Sequence, residues 1–491
     1  LGIITASAFH GDATNMTGVS GGPVGQQAVT ANSGTTTIDL SSGNVIYMTQ
    51  SANTTVSFAN TEGNTDVVYL IRIPDGTART LTWPSGIVWN GGSEPNLAYG
   101  SSDYQVFKLT TRDNGATWYG RVNTENTSVI EGLWTWGYNT YGALAQNNRT
   151  SYSSPIQITG TNWSKISANR WGGKGIKTDG TLWSWGYNFC GVLGLNDIIY
   201  RSSPTQIPGT TWSEVDGSGV EGRALKTDGT MWVWGSTYYG SLGLNQSGSG
   251  AYYSSPVQVP GSYKKFSVGD YWSVSQKTDD TLWAVGSNDF GQFANSSEDA
   301  GVRRYSSPVQ IPGTNWTDFR ANIANLMLIN TDGELWMQGK NFSGELGLND
   351  AIYRSSPIQV PGTWSKLGSH GQNSSSAIKP DATLWSWGYN RYGGIGNNTS
   401  GTGPGYVGYS SPVQIPGSWD STFPTSTGGG GGVKTDGTLW VWGKNDAGHL
   451  GLGDQVQYSS PVQIPGNWTS DNTRHYGGNS HTALFRKPTL N

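Results

Sequence analysis

Charge is scarce in this sequence. Asp, Glu, Lys and Arg make up 13% of its 491 residues, about half the usual share. The 29 basic and 33 acidic residues leave a net charge of −4, and Lys and Arg never run longer than two residues, as at Arg303–Arg304. Nucleic acid and anionic membranes need a concentrated basic surface, so neither is expected as a partner. Long apolar runs are missing too. Val67 to Ile71 falls far short of the roughly 20 residues a membrane-spanning helix requires. The single Cys190 can form no intrachain disulfide and assigns no redox compartment. None of the five histidines forms a metal-spaced pair, and His475 and His481 lie six apart on an irregular stretch. Phosphate-binding loops, dinucleotide fingerprints and nucleophile elbows are absent. The expectation is therefore no catalytic residue, no metal and no cofactor. The chain starts at Leu1 with no signal-peptide pattern, which points to further residues upstream.

What the sequence does have is glycine and tryptophan, 72 and 23 residues. That composition suits many short strands, tight turns and aromatic packing. A Trp-rich chain also buries enough apolar surface to offset its ordering entropy.

Self-similarity sets the architecture. A Leu-Trp string closed by Gly, with Met231 for Leu in the third copy, recurs seven times, with the glycines at 137, 186, 235, 286, 339, 388 and 443. Ser-Ser-Pro-x-Gln also recurs seven times, with Pro at 155, 204, 256, 308, 357, 412 and 461. A Thr-Asp-Gly type of turn precedes each string from the second copy on, at Asp179, Asp228, Asp279, Asp332, Asp381 and Asp436. Asp-Gly between alternating strands predicts a hairpin with positive φ at both turn positions. Asp280 and Ala382 stand where two of the glycines would be, so those turns are expected to differ in type. The first string has no turn before it, and His481 to Phe485 has no string after it. The two halves predict a closed ring in which the C-terminal strand pairs with Leu133, leaving no exposed edge. The fold class is all-β: a seven-bladed propeller over residues 126–491, preceded by a small β-sandwich.

The repeat resembles that of the RCC1-like propellers over roughly residues 131–490. Asn139-Thr140-Tyr141-Gly142, Asn188-Phe189-Cys190-Gly191 and Asn341-Phe342-Ser343-Gly344 match the family's Asn-x-x-Gly stretch, and Gly478 to Thr482 its Gly-x-x-His segment. At the positions aligned with His481 the other copies carry Gly172, Glu221, Trp272, Asn325, Ser374 and Gly429. The resemblance thus implies the fold and not the family's nucleotide-exchange activity.

Residues 25–125 lack the repeat. Short β-branched runs between Gly, Ser and Asn clusters predict an antiparallel sandwich with a hairpin at Asp113-Asn114-Gly115. Residues 1–24 are set apart as a stalk or attachment segment. Within them, Leu1 to Val19 resembles a short motif of fibre and appendage proteins of tailed phages, especially the large contractile-tailed phages of marine cyanobacteria. Leu81 to Trp89 with Asp113 to Gly120 resembles a small β-domain of the same proteins.

Repeat-linked residues have structural jobs. The turn aspartates belong here, as do 18 of the 23 Trp, twelve in the strings and six after the Pro-Gly landmark. The Gly428–Gly432 run reads as a blade turn, flexible or tightly packed. Trp171 and Trp272 fall outside the pattern and are expected as exposed contacts. Three stretches before Ser-Ser-Pro are longer than the rest: Gln246–Tyr253, Asn295–Tyr305 and Asn398–Tyr409. Their Tyr252, Tyr253, Arg303, Arg304, Tyr406 and Tyr409 suit adaptable recognition.

The resemblances imply a phage virion structural protein, a tail-fibre or appendage subunit on an extracellular particle. Its propeller would bind a host-surface glycan or protein, and its N-terminal segment other virion proteins. Phage fibres imply by analogy a homo-oligomer, a trimer. A capsid decoration protein, a glycan depolymerase and a secreted RCC1-like protein-binding module are the alternatives.

Overall fold

The computed structural model describes residues 26–487 except 32, 43–44, 62–65, 75–78, 86, 90–93, 95–104, 112, 114, 125–131, 160–161, 170, 249, 294–303, 314, 369–372, 402–407, 427, 469–475 and 478–480. The chain divides into a unit ending at Ile130 and a unit spanning Glu131–Pro488. The proposed stalk, residues 1–24, lies outside the described residues.

In the first unit, β1 (Gln26–Ala31), β3 (Val45–Gln50) and β5 (Asp66–Pro74) lie side by side, followed by β8 (Gln105–Thr111), β9 (Trp118–Thr124) and β7 (Ile87–Trp89). A second sheet holds β2 (Gly34–Asp39), β4 (Thr54–Ala59) and β6 (Leu81–Thr82). Ile38, Ile46, Met48, Val56, Leu70, Trp83, Phe107 and Trp118 share its core. The expected antiparallel arrangement is corrected here. The pairs β1/β3, β3/β5, β2/β4 and β4/β6 are all parallel. From β1 to β6 the chain alternates between the two sheets and returns one strand further along each time, so like strands stack in the same direction. The antiparallel pairs are β5/β8 and β8/β9, the second formed across the predicted Asp113–Gly115 turn.

The second unit is the predicted ring. Blades 2 to 5 are four-stranded antiparallel sheets that follow one another along the chain, and blades 6 and 7 share the long strand Gly408–Ser426. Blade 1 is assembled from both ends. Gly132–Gly137 pairs with Tyr152–Gln157 on one side and His481–Lys487 on the other, in the register Leu133↔Phe485 and Trp136↔Thr482. The strand after each Pro-Gly landmark, such as Trp212–Gly217 or Trp316–Ala321, is innermost and packs on its counterpart in the next blade.

Three devices repeat around the ring. First, the second Trp of a string donates across to the preceding blade: Trp185 Nε1 to Ala143 O at 2.9 Å, Trp234 to Val192 O at 2.8 Å, Trp387 to Glu345 O at 2.8 Å and Trp442 to Gly394 O at 2.9 Å. Gln338 takes that place in blade 5 and donates to Gln292 O at 2.6 Å. Second, the glycine of each corner presses on the next blade's Ser-Ser-Pro. A Cβ on Gly142 would stand 2.5 Å from Ser202 Cα, and one on Gly448 would stand 2.6 Å from Ser153 Cα, closing the circle. Third, a lysine lies over two indoles, as Lys177 does over Trp183 at 4.1 Å and Trp163 at 5.2 Å.

The Thr-Asp-Gly turns keep their structural role: Asp179 Oδ1 accepts from Thr181 N at 3.0 Å and Thr181 Oγ1 at 2.6 Å. Those bonds hold the Asp179 carboxyl below its ordinary range. Their type differs from expectation. Gly180 has positive φ and Asp179 does not, so this is a three-residue loop ending in a left-handed residue rather than a two-residue turn. Asp280 and Ala382 adopt the same left-handed backbone, at φ 69° and 63°, so those turns do not change type. The glycine run also departs from its reading as a turn. Gly429–Lys434 is a strand, and a Cβ at Gly431 would meet the Phe423 ring at 2.6 Å. Aromatic rings occupy the side-chain space there.

Candidate functional site

Strand direction separates the two faces of the disc. The Thr-Asp-Gly turns lie at one end of the blades. The Asn-x-x-Gly corners, and the loops that precede each second strand, lie at the other. The corner asparagine folds its loop inward: Asn139 Oδ1 accepts from Leu144 N at 2.9 Å, while its Nδ2 donates to Thr150 O at 2.8 Å. The first residue after it is thereby pushed outward, and the second is also part-exposed except at the fifth corner, where Ser343 is buried. In six of the seven repeats at least one of them is aromatic: Tyr141, Phe189, Tyr238 with Tyr239, Phe290, Phe342 and Tyr392. None is buried, and Phe189 is 64% exposed. In the sequence this corner serves as a fold landmark, and its Asn and Gly mark the fold rather than the aromatic rim between them. The signal for the rim is in the residue types at the variable positions.

Two clusters gather on this face. Across blades 1 and 2, Tyr187 stands 5.0 Å from Tyr141, 4.9 Å from Trp171 and 4.9 Å from Tyr200, with Phe189 stacked on it at 6.2 Å. Partial burial beside Tyr200 pushes the Tyr187 hydroxyl up to about 12, so it stays a neutral hydrogen-bonding group. Across blades 3 and 4, Tyr238, Tyr239 and Tyr271 meet at 4.3 to 6.0 Å, and the Arg304 guanidinium lies 4.0 Å over Tyr239. Tyr239 and Tyr271 both have left-handed backbones, φ 61° and 62°, a strain of about 1–2 kcal/mol for each.

The expected contact residues divide accordingly. Trp171 is half-buried within the first cluster, and Arg304 is exposed in the second. Tyr252, 45% exposed, pairs with Ser236 beside the blade 3 corner. Tyr253 and Tyr409, both half-buried, precede Ser-Ser-Pro and also brace their own corner loops. The Tyr253 hydroxyl donates to Gln246 Oε1 at 2.8 Å, and that of Tyr409 bonds Thr399 Oγ1 at 2.9 Å. Tyr152, Arg201, Arg354 and Tyr458 do the same at their repeats. Trp272 is corrected. It is fully buried, and its Nε1 donates to Asn322 O at 2.8 Å. It opens a second strand at the position of His481 and Glu221, where side chains point into the blade seam. Arg303 and Tyr406 lie outside the described residues.

Between the innermost strands lies a cavity of about 650 Å³ that reaches Trp171 and Tyr271. Around it, charges on the innermost strands pair across blades, Lys165 Nζ with Glu214 Oε1 at 2.9 Å, Lys265 with Asp318, and Lys366 with Asp420, while Lys264 pairs with Asp280 of its own blade. Asp216 accepts from Ser167 Oγ at 2.9 Å and Val268 N at 3.0 Å. Burial raises its carboxyl all the same, against those bonds and the nearby Arg320. Below it Lys174, fully buried, is pulled down to about 8 by desolvation, opposed by Asp216 and Glu221. Burial pushes Glu221 up to about 7, with Arg223 opposing. Asp216 thus joins three blades through Ser167 and Val268. No cluster of metal-ligating side chains occurs among the described residues.

The regulator of chromosome condensation (RCC1) repeat model matches residues 132–170 and 436–485. No curated protein matches the chain. Among solved structures, human WBSCR16 superimposes with a TM-score of 0.60 at 17% identity, over 73% of this chain and 100% of that one. Prp20p of Saccharomyces cerevisiae does so with a TM-score of 0.63 at 15% identity, over 74% of this chain and 93% of that one. A structure of Kap60 bound to yeast RCC1 (Prp20) gives 0.63 and 15%, over 73% and 90%. The ring that closes through Leu133 and Phe485 is therefore an RCC1-like seven-bladed propeller, with RCC1 repeats where its two ends meet.

Proposed function

We propose that this protein is a non-enzymatic binding module whose corner face docks a protein partner. The observation that carries this reading is the aromatic rim at six of seven corners, with Arg304 among it. Tyr, Trp and Arg dominate the energetics of protein interfaces, and a ring of cross-blade bonds holds them rigidly, which lowers the ordering cost of binding. Prp20p, of the same fold, has binding properties toward Gsp1p and histones, and yeast RCC1 (Prp20) is bound by Kap60. A photocrosslinking residue at Phe189 or Phe342 of the full chain should trap a partner that the same residue at Asp228, on the opposite face, does not. Equal trapping from both faces sinks the reading.

The finer assignment places the module on an extracellular phage particle, as a tail-fibre or appendage subunit meeting a host-surface protein. It rests on the resemblance of Leu1 to Val19, Leu81 to Trp89 and Asp113 to Gly120 to phage appendage segments. In that setting the N-terminal segment holds other virion proteins, and trimerisation adds avidity. Immunogold microscopy of purified virions, with an antibody to residues 131–491, tests it. Label at fibre tips or the baseplate supports the appendage; label over the head makes it a decoration protein; no label returns it to a secreted binder.

A further inference from the structure

The blade 3 corner breaks the repeat in a concerted way. Six corners carry the loop-folding asparagine, at 139, 188, 288, 341, 390 and 445, but blade 3 has Thr237 there. Thr237 turns its hydroxyl to Ala251 O at 3.0 Å, on the loop that leads to Tyr252. Without the asparagine bonds the next residues take a different path, and Tyr239 sits at φ 61°, ψ 4°. Tyr271, on the facing loop of blade 4, is left-handed as well. They are the two aromatic residues with positive φ among the described residues, and their rings are 5.2 Å apart. Bulky side chains pay for that backbone, and strain held by its surroundings clusters at sites of recognition. Of the strained pair, Tyr239 carries Arg304. Its guanidinium lies 4.0 Å over the Tyr239 ring and 5.4 Å from that of Tyr238, at the exposed start of the outer strand of blade 4. Arg304 makes no ion pair among the described residues, whereas Arg201 and Arg354 are bound to Asp197 and Asp350. Asp289, on the next corner, accepts from Ser287 Oγ at 3.0 Å.

We infer that Arg304, held on the Tyr238–Tyr239 platform, is the recognition point for a carboxylate of an acidic segment on the partner protein. This rests on the binding reading above and names the chemistry of its partner. A guanidinium stacked on an aromatic face keeps its N–H edge free and fixed in direction, which suits bidentate capture of a carboxylate. Tyr252 and the half-buried rings of Tyr238 and Tyr271 would take apolar side chains beside that carboxylate. The occupant is thus an extended stretch in which Asp or Glu alternates with apolar residues.

The test uses the full chain and a fluorescein-labelled decapeptide of alternating Glu and Leu, with its Gln–Leu counterpart as control, read by anisotropy. The Glu peptide should bind at least tenfold tighter than the Gln peptide. Arg304→Gln should abolish that difference, and Arg304→Lys should lose most of it, since an ammonium lacks the fork. Arg354→Gln, at an ion-paired arginine, should leave it unchanged. Tyr239→Gly separates recognition from folding: relief of strain should raise the melting temperature while peptide affinity falls at least threefold. Equal binding of both peptides, an unchanged Arg304→Gln, or a stabilised Tyr239→Gly of full affinity each overturns the inference. So does tight binding of oligogalacturonate with no binding of the Glu peptide, which would move the site to acidic glycans. If the inference fails while Phe189 still traps a protein from the corner face, the binding reading stands without it. If both fail, both fall.

Discussion

The indole Nε1 of Trp136 donates to the backbone carbonyl of His449 at 2.9 Å, across 313 residues of sequence. It is the same bond that Trp185 makes to Ala143, but here it joins the first repeat to the last. Replacing Trp136, fully buried, with Ala should cost about 3–5 kcal/mol, and deleting Ser480 to Asn491 should cost more, since it strips a whole strand from blade 1. Thermal unfolding measures both. If the deletion melts like the intact chain, the ring is closed by something else.

Ala382 holds a left-handed turn at φ 63° where Gly180 and Gly437 hold the same turn without a Cβ. Ala382→Gly should therefore stabilise the protein by about 1 kcal/mol, the strain relieved being larger than the chain entropy added. Calorimetry of the single variant decides the sign.

His449 and His481 are buried in the closing seam, and desolvation pulls both down to about 4. Asp446 opposes the shift at His449, and Lys444 and the neighbouring imidazole reinforce the shifts at His449 and His481 respectively. In the unfolded chain each titrates near 6.5. Between those values the unfolded state binds more protons, so stability is full above pH 6.5 and falls as the pH drops toward 4. The loss is on the order of 3 kcal/mol per histidine. Urea unfolding at pH 7 and pH 4.5 should show it, and His481→Asn should flatten the dependence by about half. A wild-type profile flat between those values would contradict the buried, neutral assignment.

Trp171 and Trp272 should separate cleanly. Trp272→Ala opens a void in a blade core and should cost about 3–5 kcal/mol, while Trp171→Ala loses aromatic contacts worth about 1 kcal/mol. Paired denaturation curves test this, and equal losses would mean that Trp171 is as structural as Trp272.

Much of the ring was legible because each repeat states its landmarks seven times, and the two orphan halves at Leu133 and His481 could only complete each other. The first unit was harder. Alternating Thr, Val and Ile mark a strand equally well in parallel and antiparallel sheets, and nothing in Asn32-Ser33 or Ser51 to Asn53 says that the chain turns a corner instead of folding back. Trp272 was misplaced because it neighbours Trp171 in the aligned repeats, and a shift of one residue moves a side chain to the other face of a strand. The cross-blade ion pairs were missed because their members lie about fifty residues apart. Lys165, Glu214, Lys265, Asp318 and Lys366 nonetheless alternate in sign, each two residues after the repeat's Trp or Tyr. The Tyr239 platform left one trace, Thr237 in place of asparagine.

The split blade also has a mechanical meaning. A pull delivered from the N-terminal side enters the ring at Gly132, the first residue of a strand bonded along both edges, to Tyr152–Gln157 and to His481–Lys487. A propeller whose chain began on an outermost strand could be peeled from one edge. Here the tethered strand is clamped on two flanks, and one of the clamps is the far end of the same chain. Detachment under load therefore requires both flanks to give way, and its rate is set by the barrier to opening that blade.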